Sequence, residues 1–359
     1  MGRRTNTAVW LEKYKRWQIK VQKDGERRTF TSSTPGRTGQ RECNAKADAW
    51  LDDGIDNDRV KVNVLFDDYV EGLKLTTSKS NWMQVESIGN AWIKPNIGTK
   101  RIFSLNEHHL QTILDKAYAS GKSKKTLSNI RSVITSFIKY CRKRKVCILV
   151  PEDLSIPKGA RYKGKTILQP DEIQKLFSED ATVLFGMRTK DVYINAYRFQ
   201  VLTGLRPGEL IGLRWSDVHK NTIHIQRSIN YRGEETKGKN ENAVRCITLS
   251  SMTKKILEDQ KILTEHEETV FEIPSHYRYE FRLARYCESN NIRKVTPYEL
   301  RHTFVSVVKQ LPDGQVKPIV GHSRNMDTFG IYGHELAGEG EKTAARIDRI
   351  FKKISKSGL

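Results

Sequence analysis

FQVLTGLRPGELIGLRWSDV, Phe199 to Val218, reads as two helices meeting at an arginine. An apolar helix ends at Gly204, and Pro207 suits the first position of the next one. The same proline keeps the residue before it out of the α region, so Arg206 stands at the junction with a buried helix on either side. Two readings are open there: a capping or salt-bridged arginine, with Glu209 as its partner, or a guanidinium held for a ligand.

Working outward, TIHIQRSIN (222–230) alternates as a strand, YRGEETKGKNENA (231–243) is a polar loop and VRCITL (244–249) is a second strand. The hairpin they imply offers Lys237 and Lys239 at or near its tip. TPYELRHTFVSVVK (296–309) starts a helix in which Arg301 precedes the core-facing Phe304, Val305 and Val308. VKPIVGHS (316–323) ends another at Gly321-His322, and in HSRNMDTFGIYGHE (322–335) Tyr332 follows ten residues beyond His322. TILQPDEIQKLF (166–177) opens a helix with proline and acids in its first turn, the end where negative charge is favourable, and marks the start of this domain. The tail GEKTAARIDRIFKKI (340–354) spaces Ala344, Ile347, Ile350 and Phe351 as an amphipathic helix. It is expected to pack on a neighbouring protomer, with its own domain as the other surface available.

The 359 residues are enough for more than one core, and two or three domains are expected. Against 42 Asp and Glu stand 63 Lys and Arg, a net charge of +21. That excess is far beyond what solubility needs and points to a polyanion, nucleic acid before acidic lipid. No apolar run approaches the ~18–20 residues of a membrane span, and MGRRTNTAVW lacks the apolar core of a secretory signal. A cytoplasmic protein without membrane partners is expected. The five cysteines are scattered without paired spacing, so they read as reduced thiols, with neither a disulfide framework nor a metal site.

Residues 1–42 carry eleven Lys and Arg against four acids, about +7. There KRWQIKVQ and RRTFTSS read as strands joined at Asp24-Gly25, followed by a helix at about 42–53. Arg3, Arg4, Lys15, Arg16 and Trp17 are this module's candidates for contact with nucleic acid. LDDGIDND, ending at Asp58, is read as a linker. A helical bundle then starts near Val62, and in its long helix (about 125–140) Leu127, Ile130, Val133, Ile134, Phe137 and Ile138 share one face. Residues 121–150 hold nine basic residues and no acid, which favours contact with a nucleic acid backbone over a merely solvated face. Lys122, Lys124, Lys125, Arg131, Arg142, Lys143, Arg144 and Lys145 are the candidates. The proline- and glycine-bearing PEDLSIPKGARYKGK (151–165) reads as a connector, adding Arg161 and Lys163.

TGLRPGEL, LRHTF and GHS followed by a tyrosine, in that order and with a lysine hairpin between the first two, resemble the tyrosine recombinases, the phage and transposon integrases. AWIKPNIG is similar to their core-binding module, and the ending FGIYGHE looks closest to integrases of conjugative transposons and related prophages. The resemblance implies an arm-type DNA-binding domain (1–58) of sheet plus helix, a helical core-binding domain (62–150), a linker (151–165) and a mixed, mostly helical catalytic domain (166–338). A tail (339–359) completes the chain, whose fold class is mainly α with small sheets. It implies a cofactor-independent enzyme that cleaves and rejoins DNA through a 3′-phosphotyrosyl intermediate for integration and excision of a mobile element. The partners implied are core-type and arm-type sites on double-stranded DNA, a homotetramer, an excisionase and DNA-bending proteins. The localisation implied is the nucleoid of a bacterium, with the gene carried by host, phage or transposon.

The chemistry fits the residues the motifs carry over. Tyrosine can store a phosphodiester as a covalent ester, which makes Tyr332 the nucleophile. Arg206 and Arg301 are forked, permanently charged donors for the non-bridging oxygens, His322 a further donor, and Glu209 the carboxylate that holds Arg206. Lys239 is the expected proton donor to the leaving oxygen, by its spacing to Arg245, with Lys237 as runner-up. The sequence departs from the family at Tyr298, where a histidine is usual three residues before the second arginine. A phenol with an ordinary pKa of about 10 is a poor base, so Tyr298 is a hydrogen-bond donor to phosphate or a second candidate nucleophile. His302, next to Arg301, is expected to pack or cap. That departure keeps open a DNA-binding protein with altered chemistry; a relaxing topoisomerase of similar chemistry is a further class, against which the separate arm module argues.

Overall fold

The computed structural model describes residues 6–23, 26–52, 60–162, 164–236, 244–321 and 338–356. The chain divides into two compact units, Met1–Lys163 and Gly164–Leu359. In the first unit, β1 (Val9–Leu11), β2 (Arg16–Lys23) and β3 (Glu26–Ser32) form an antiparallel sheet in that order. Ile19 and Val21, alternate residues of β2, turn to α1 (Gly36–Asp52) and pack with Cys43, Ala47 and Leu51, one residue per helical turn. This helix begins about six residues earlier than its sequence period suggests. Its first two turns, GRTGQRE, are polar, and Glu42 is fastened to the Ser32 and Thr34 hydroxyls at 2.8 and 3.0 Å.

A second core belongs to α2 (Val62–Thr76), α3 (Lys79–Ile88), α4 (Glu107–Ala119) and α5 (Lys124–Lys143). α3 continues through a π turn (Gly89–Ile93) into a further helical turn (Lys94–Ile97). The buried face of α5 is the 3.6-residue stripe from Leu127 to Ile138, extended by Cys141, and Phe137 meets Phe66 edge-on with ring centroids 5.1 Å apart. Most of the stretch read as a connector is stitched to this bundle. Leu154 and Ala160 are buried in it. Asp153 N donates to Glu107 at 2.7 Å, Ser155 N to Gln111 at 3.0 Å, and Lys124 N to the Arg161 carbonyl at 2.9 Å. Backbone groups of a non-periodic strap still need partners, and the Glu107 and Gln111 side chains and the Lys124 backbone N–H supply them.

The second unit opens with α6 (Pro170–Ser178), the hairpin β4 (Ala181–Leu184) and β5 (Met187–Lys190), and α7 (Ile194–Thr203). α7 is buried nearly all round, which is why its sequence lacks a polar face. After the short α8 (Pro207–Ile211), the single long hairpin expected from the alternation is two short ones. β6 (Thr222–Ile225) pairs with β9 (Arg245–Thr248), and β7 (Ser228–Ile229) with β8 (Glu235–Thr236). The break falls at Gln226 and Arg227, whose side chains are drawn to the buried Asp217. α9 (Ser251–Thr264), α10 (His276–Ser289), α11 (Pro297–Val307) and α12 (Asp313–Val320) complete the helical layer, and α13 (Glu339–Lys356) ends it. α13 packs on its own unit. Ile347 and Phe351 join the core, and Asp348 accepts from the Ser251 and Met252 backbone N–H groups at 2.8 and 3.2 Å.

Candidate active site

The junction at Arg206 is built by Gly204, which closes α7 in the left-handed region at φ +64°. A Cβ there would come within 2.4 Å of Phe304 Cδ1, so the position has neither the conformation nor the room for a side chain. The crossing backbone is satisfied from within. Gln200 donates to the Leu205 carbonyl at 3.1 Å and accepts from the Tyr279 hydroxyl at 2.9 Å. Arg206 itself is extended (φ −66°, ψ 147°), as a residue before proline should be.

Both readings of Arg206 meet in the side chains around it. Its Nη1 donates to Glu209 Oε1 at 2.6 Å and its backbone N to Oε2 at 2.9 Å. From β9, Arg245 grips the same carboxylate as a fork, Nη1 to Oε1 at 3.0 Å and Nη2 to Oε2 at 2.8 Å. Burial alone would raise the Glu209 carboxyl, but Arg245 first and Arg206 second hold it below its ordinary value. Arg301, only 3% exposed, donates from Nη1 to the Gly204 carbonyl at 2.8 Å.

The three arginines also converge on the end of α12. Arg245 Nε donates to the carbonyl of Ile319 at 2.7 Å, Arg301 Nη2 to that of Val320 at 2.7 Å, and Arg206 Nη2 to that of Gly321 at 2.9 Å. The last carbonyls of a helix lack intrahelical partners and carry its negative pole, so three cations are a suitable cap. Gly321 turns the chain away at φ +64°, immediately before His322. Among the described residues, three guanidinium groups stand against one carboxylate, which leaves two positive charges in excess in a largely buried cluster. Burial, and then Arg206, push Arg301 down to about 10, which leaves it charged at neutral pH. Such a cluster can take a dianionic or singly charged oxyanion without moving other counter-charges in.

Tyr298 is 45% exposed on the first turn of α11, and its ring centroid lies 5.5 Å from that of His302. His302 is half-buried, and burial, then Lys165 and Arg301, keep it below the ordinary histidine value. Lys237, Lys239, His322 and Tyr332 lie outside the described residues, as do Arg3, Arg4 and Lys163.

Arg245 entered the sequence reading only as a spacing landmark. The signal that marks it is the alternation of β9: Ile247 and Leu249 are buried, so position 245 faces inward too, and a charge on an inward face needs a partner.

Among the surface candidates, Lys15 sits in the left-handed region at φ 45°, Arg16 lies over the Tyr14 ring at 5.2 Å, and Trp17 meets Trp10 at 5.6 Å. On the bundle, Lys122, Lys124, Lys125, Arg142, Lys143, Lys145 and Arg161 are exposed. Two others have internal partners. Arg131 donates to the Leu154 carbonyl at 3.3 Å, and Arg144 pairs with Asp68 at 3.0 Å. The acid missing from 121–150 is thus supplied to Arg144 by α2, which is remote in sequence. Among the described residues no group of three or more His, Cys, Asp or Glu is placed to hold a metal ion, and no helix is long and apolar enough to cross a membrane.

Residues 166–339 match the phage integrase family. Over 98% of its length the chain is 22% identical to a XerC-like tyrosine recombinase of Caldanaerobacter subterraneus, which it covers completely. It is 24% identical to the integrase of Staphylococcus phage L54a, over 81% of this chain and 92% of that one. The fold is similar to that of the Tn1549 transposon integrase solved with transposon right end DNA (TM-score 0.65, 16% identity, 81% of this chain and 99% of that one). It also resembles the lambda integrase tetramer bound to a Holliday junction (TM-score 0.58, 16% identity, 92% and 98%). With its match spanning the whole arginine cluster, the segment 166–339 belongs to the phage integrase family, the tyrosine recombinases.

Proposed function

We propose that the protein is a site-specific DNA recombinase, an integrase that moves a mobile element into and out of DNA. The observation that carries this reading is the convergence of Arg206, Arg245 and Arg301 on three consecutive carbonyls that end at Gly321, the residue before His322. A positive, water-poor cluster with two charges in excess suits a phosphodiester whose non-bridging oxygens gain charge under attack. In this reading Arg206 and Arg301 bind those oxygens, His322 adds a donor, and Glu209 holds Arg206. Tyr298 gives a further hydrogen bond to phosphate.

The Tyr332 oxygen attacks phosphorus, the bond from phosphorus to the 5′ oxygen breaks, and that oxygen takes a proton from Lys239. The phenol proton is lost to solvent, favoured by the surrounding positive field. The new ester is close in energy to the bond broken, so the reverse attack by a 5′ hydroxyl rejoins a strand with no cofactor. Residues 1–58 serve arm-type sites, and residues 62–150 with 166–338 serve core-type sites. Four copies act together on two duplexes in the cytoplasm, with an excisionase and DNA-bending proteins setting direction.

The test is incubation with nicked duplexes selected from a random-sequence library, in chelator and without nucleotide. A covalent adduct on selected sequences, and joined recombinants between two such duplexes, are expected. Binding without any adduct would leave a DNA-binding protein, and supercoil relaxation on any sequence without recombinants would leave a topoisomerase.

A further inference from the structure

We propose that Arg245 is a positioning residue for the strand-transfer reaction: it shares the Glu209 carboxylate so that Arg206 keeps its positive charge for the phosphate. This rests on the function proposed above and adds a residue to it. Glu209 accepts from Arg206 through one side-chain N–H and the backbone N–H, and from Arg245 through two. Its two oxygens are therefore divided between two guanidinium groups, and the negative charge is spread over both. Were Arg206 its sole partner, the pair would be a closed one-to-one salt bridge at 2.6 Å, with its net charge near zero at the place where a phosphate must bind.

Arg245 is suited to this by burial and by attachment. Its side chain is 7% exposed and Glu209's 3%, so the shared charge is little screened by solvent. Its third anchor, Nε on the Ile319 carbonyl, fixes the guanidinium plane so that the fork faces the carboxylate. A lysine at 245 would keep the charge and lose the fork, whereas a glutamine would keep neither. The Gln variant leaves Glu209 to neutralise Arg206. If that is the defect, removing the charge of Glu209 as well should relieve part of it, which a merely structural role for Arg245 would not do.

The experiment measures single-turnover formation of the covalent adduct, DNA affinity and Tm for the full chain and for R245K, R245Q and R245Q/E209Q. The expected order of rates is wild type, R245K within about tenfold, R245Q/E209Q, and last R245Q, slower than wild type by about a hundredfold, with affinity held within a few-fold. R245Q cleaving at the wild-type rate, or R245Q/E209Q slower than R245Q, overturns the proposal. If R245Q fails to fold, R245K decides: a loss of a hundredfold or more at wild-type Tm and affinity overturns it, and retention within tenfold supports it. Absence of an adduct in the wild-type protein would instead count against the recombinase reading itself.

Discussion

Gly204→Ala tests the turn that leads into Arg206 and whose carbonyl accepts from Arg301. Two costs add at this position. An L residue held at φ +64° costs about 1–2 kcal/mol, and a methyl group 2.4 Å from Phe304 Cδ1 must displace a fully buried ring, about 1–3 kcal/mol more. The sum is about 2–5 kcal/mol. Gly233 supplies the control, because its φ is +78° and a Cβ there meets nothing within 4 Å. Gly233→Ala should therefore show the backbone cost alone, about 1–2 kcal/mol. Pulse proteolysis of the full chain across a urea series reads the fraction of the carboxy-terminal unit that stays folded. The Gly204 carbonyl also accepts from Arg301, so the variant should lose adduct formation while it is still folded. Equal losses at the two glycines would refute the packing argument, and a loss under 1 kcal/mol at Gly204 would refute the conformational one.

Acid should weaken the fold in a definite interval. Glu172, Glu209, Glu299 and Asp348 are all held below their ordinary values by hydrogen bonds and cations that outweigh burial. Between folded and unfolded pKa values the folded chain binds fewer protons, so stability rises with pH there. The carboxylate part is complete above about 4.5 and lost as pH falls through the folded values. His302, held low by burial, adds a loss that begins below about 6.5, so Tm measured from pH 7 to 3 should decline slightly at first and drop mainly at the acid end. A Tm that is flat to pH 3 contradicts this. At pH 8 a small disulfide reagent should titrate a single fast thiol, Cys246, since Cys43, Cys141, Cys147 and Cys287 are buried, and burial pushes Cys141 to about 12 and Cys287 to about 11. Two or more fast thiols would show that one of the cores is open. Asp348→Ala strands the Ser251 and Met252 N–H groups at the start of α9, and a loss of about 1–3 kcal/mol in the same urea series is expected. No loss would mean that α13 is not docked through this carboxylate.

How much of this was open to the sequence depended on how local each interaction is. The stripe on α5 follows from a helical period, and the contact between Arg206 and Glu209 from a spacing of three residues on one helix start. The mostly helical class with small sheets followed in the same way. Arg245 stayed hidden because its carboxylate is 36 positions away: the alternation with Ile247 and Leu249 marks an inward position but does not name the partner. The strap after residue 150 has no period of its own, since it is held by backbone donors to Glu107 and Gln111. The broken hairpin depends on Asp217, ten positions from Arg227, which outcompetes strand pairing there. An amphipathic tail shows which face is apolar but not which surface will cover it.

The central claim is that the cluster of Arg206, Arg245 and Arg301 serves a phosphodiester attacked by Tyr332. Peptide mapping of the covalent DNA adduct, in the wild-type chain and in Tyr332→Phe and Tyr298→Phe, tests it most directly. The adduct should map to Tyr332, vanish in Tyr332→Phe and persist in Tyr298→Phe at a reduced rate. An adduct on Tyr298, or one that survives in Tyr332→Phe, would contradict the account.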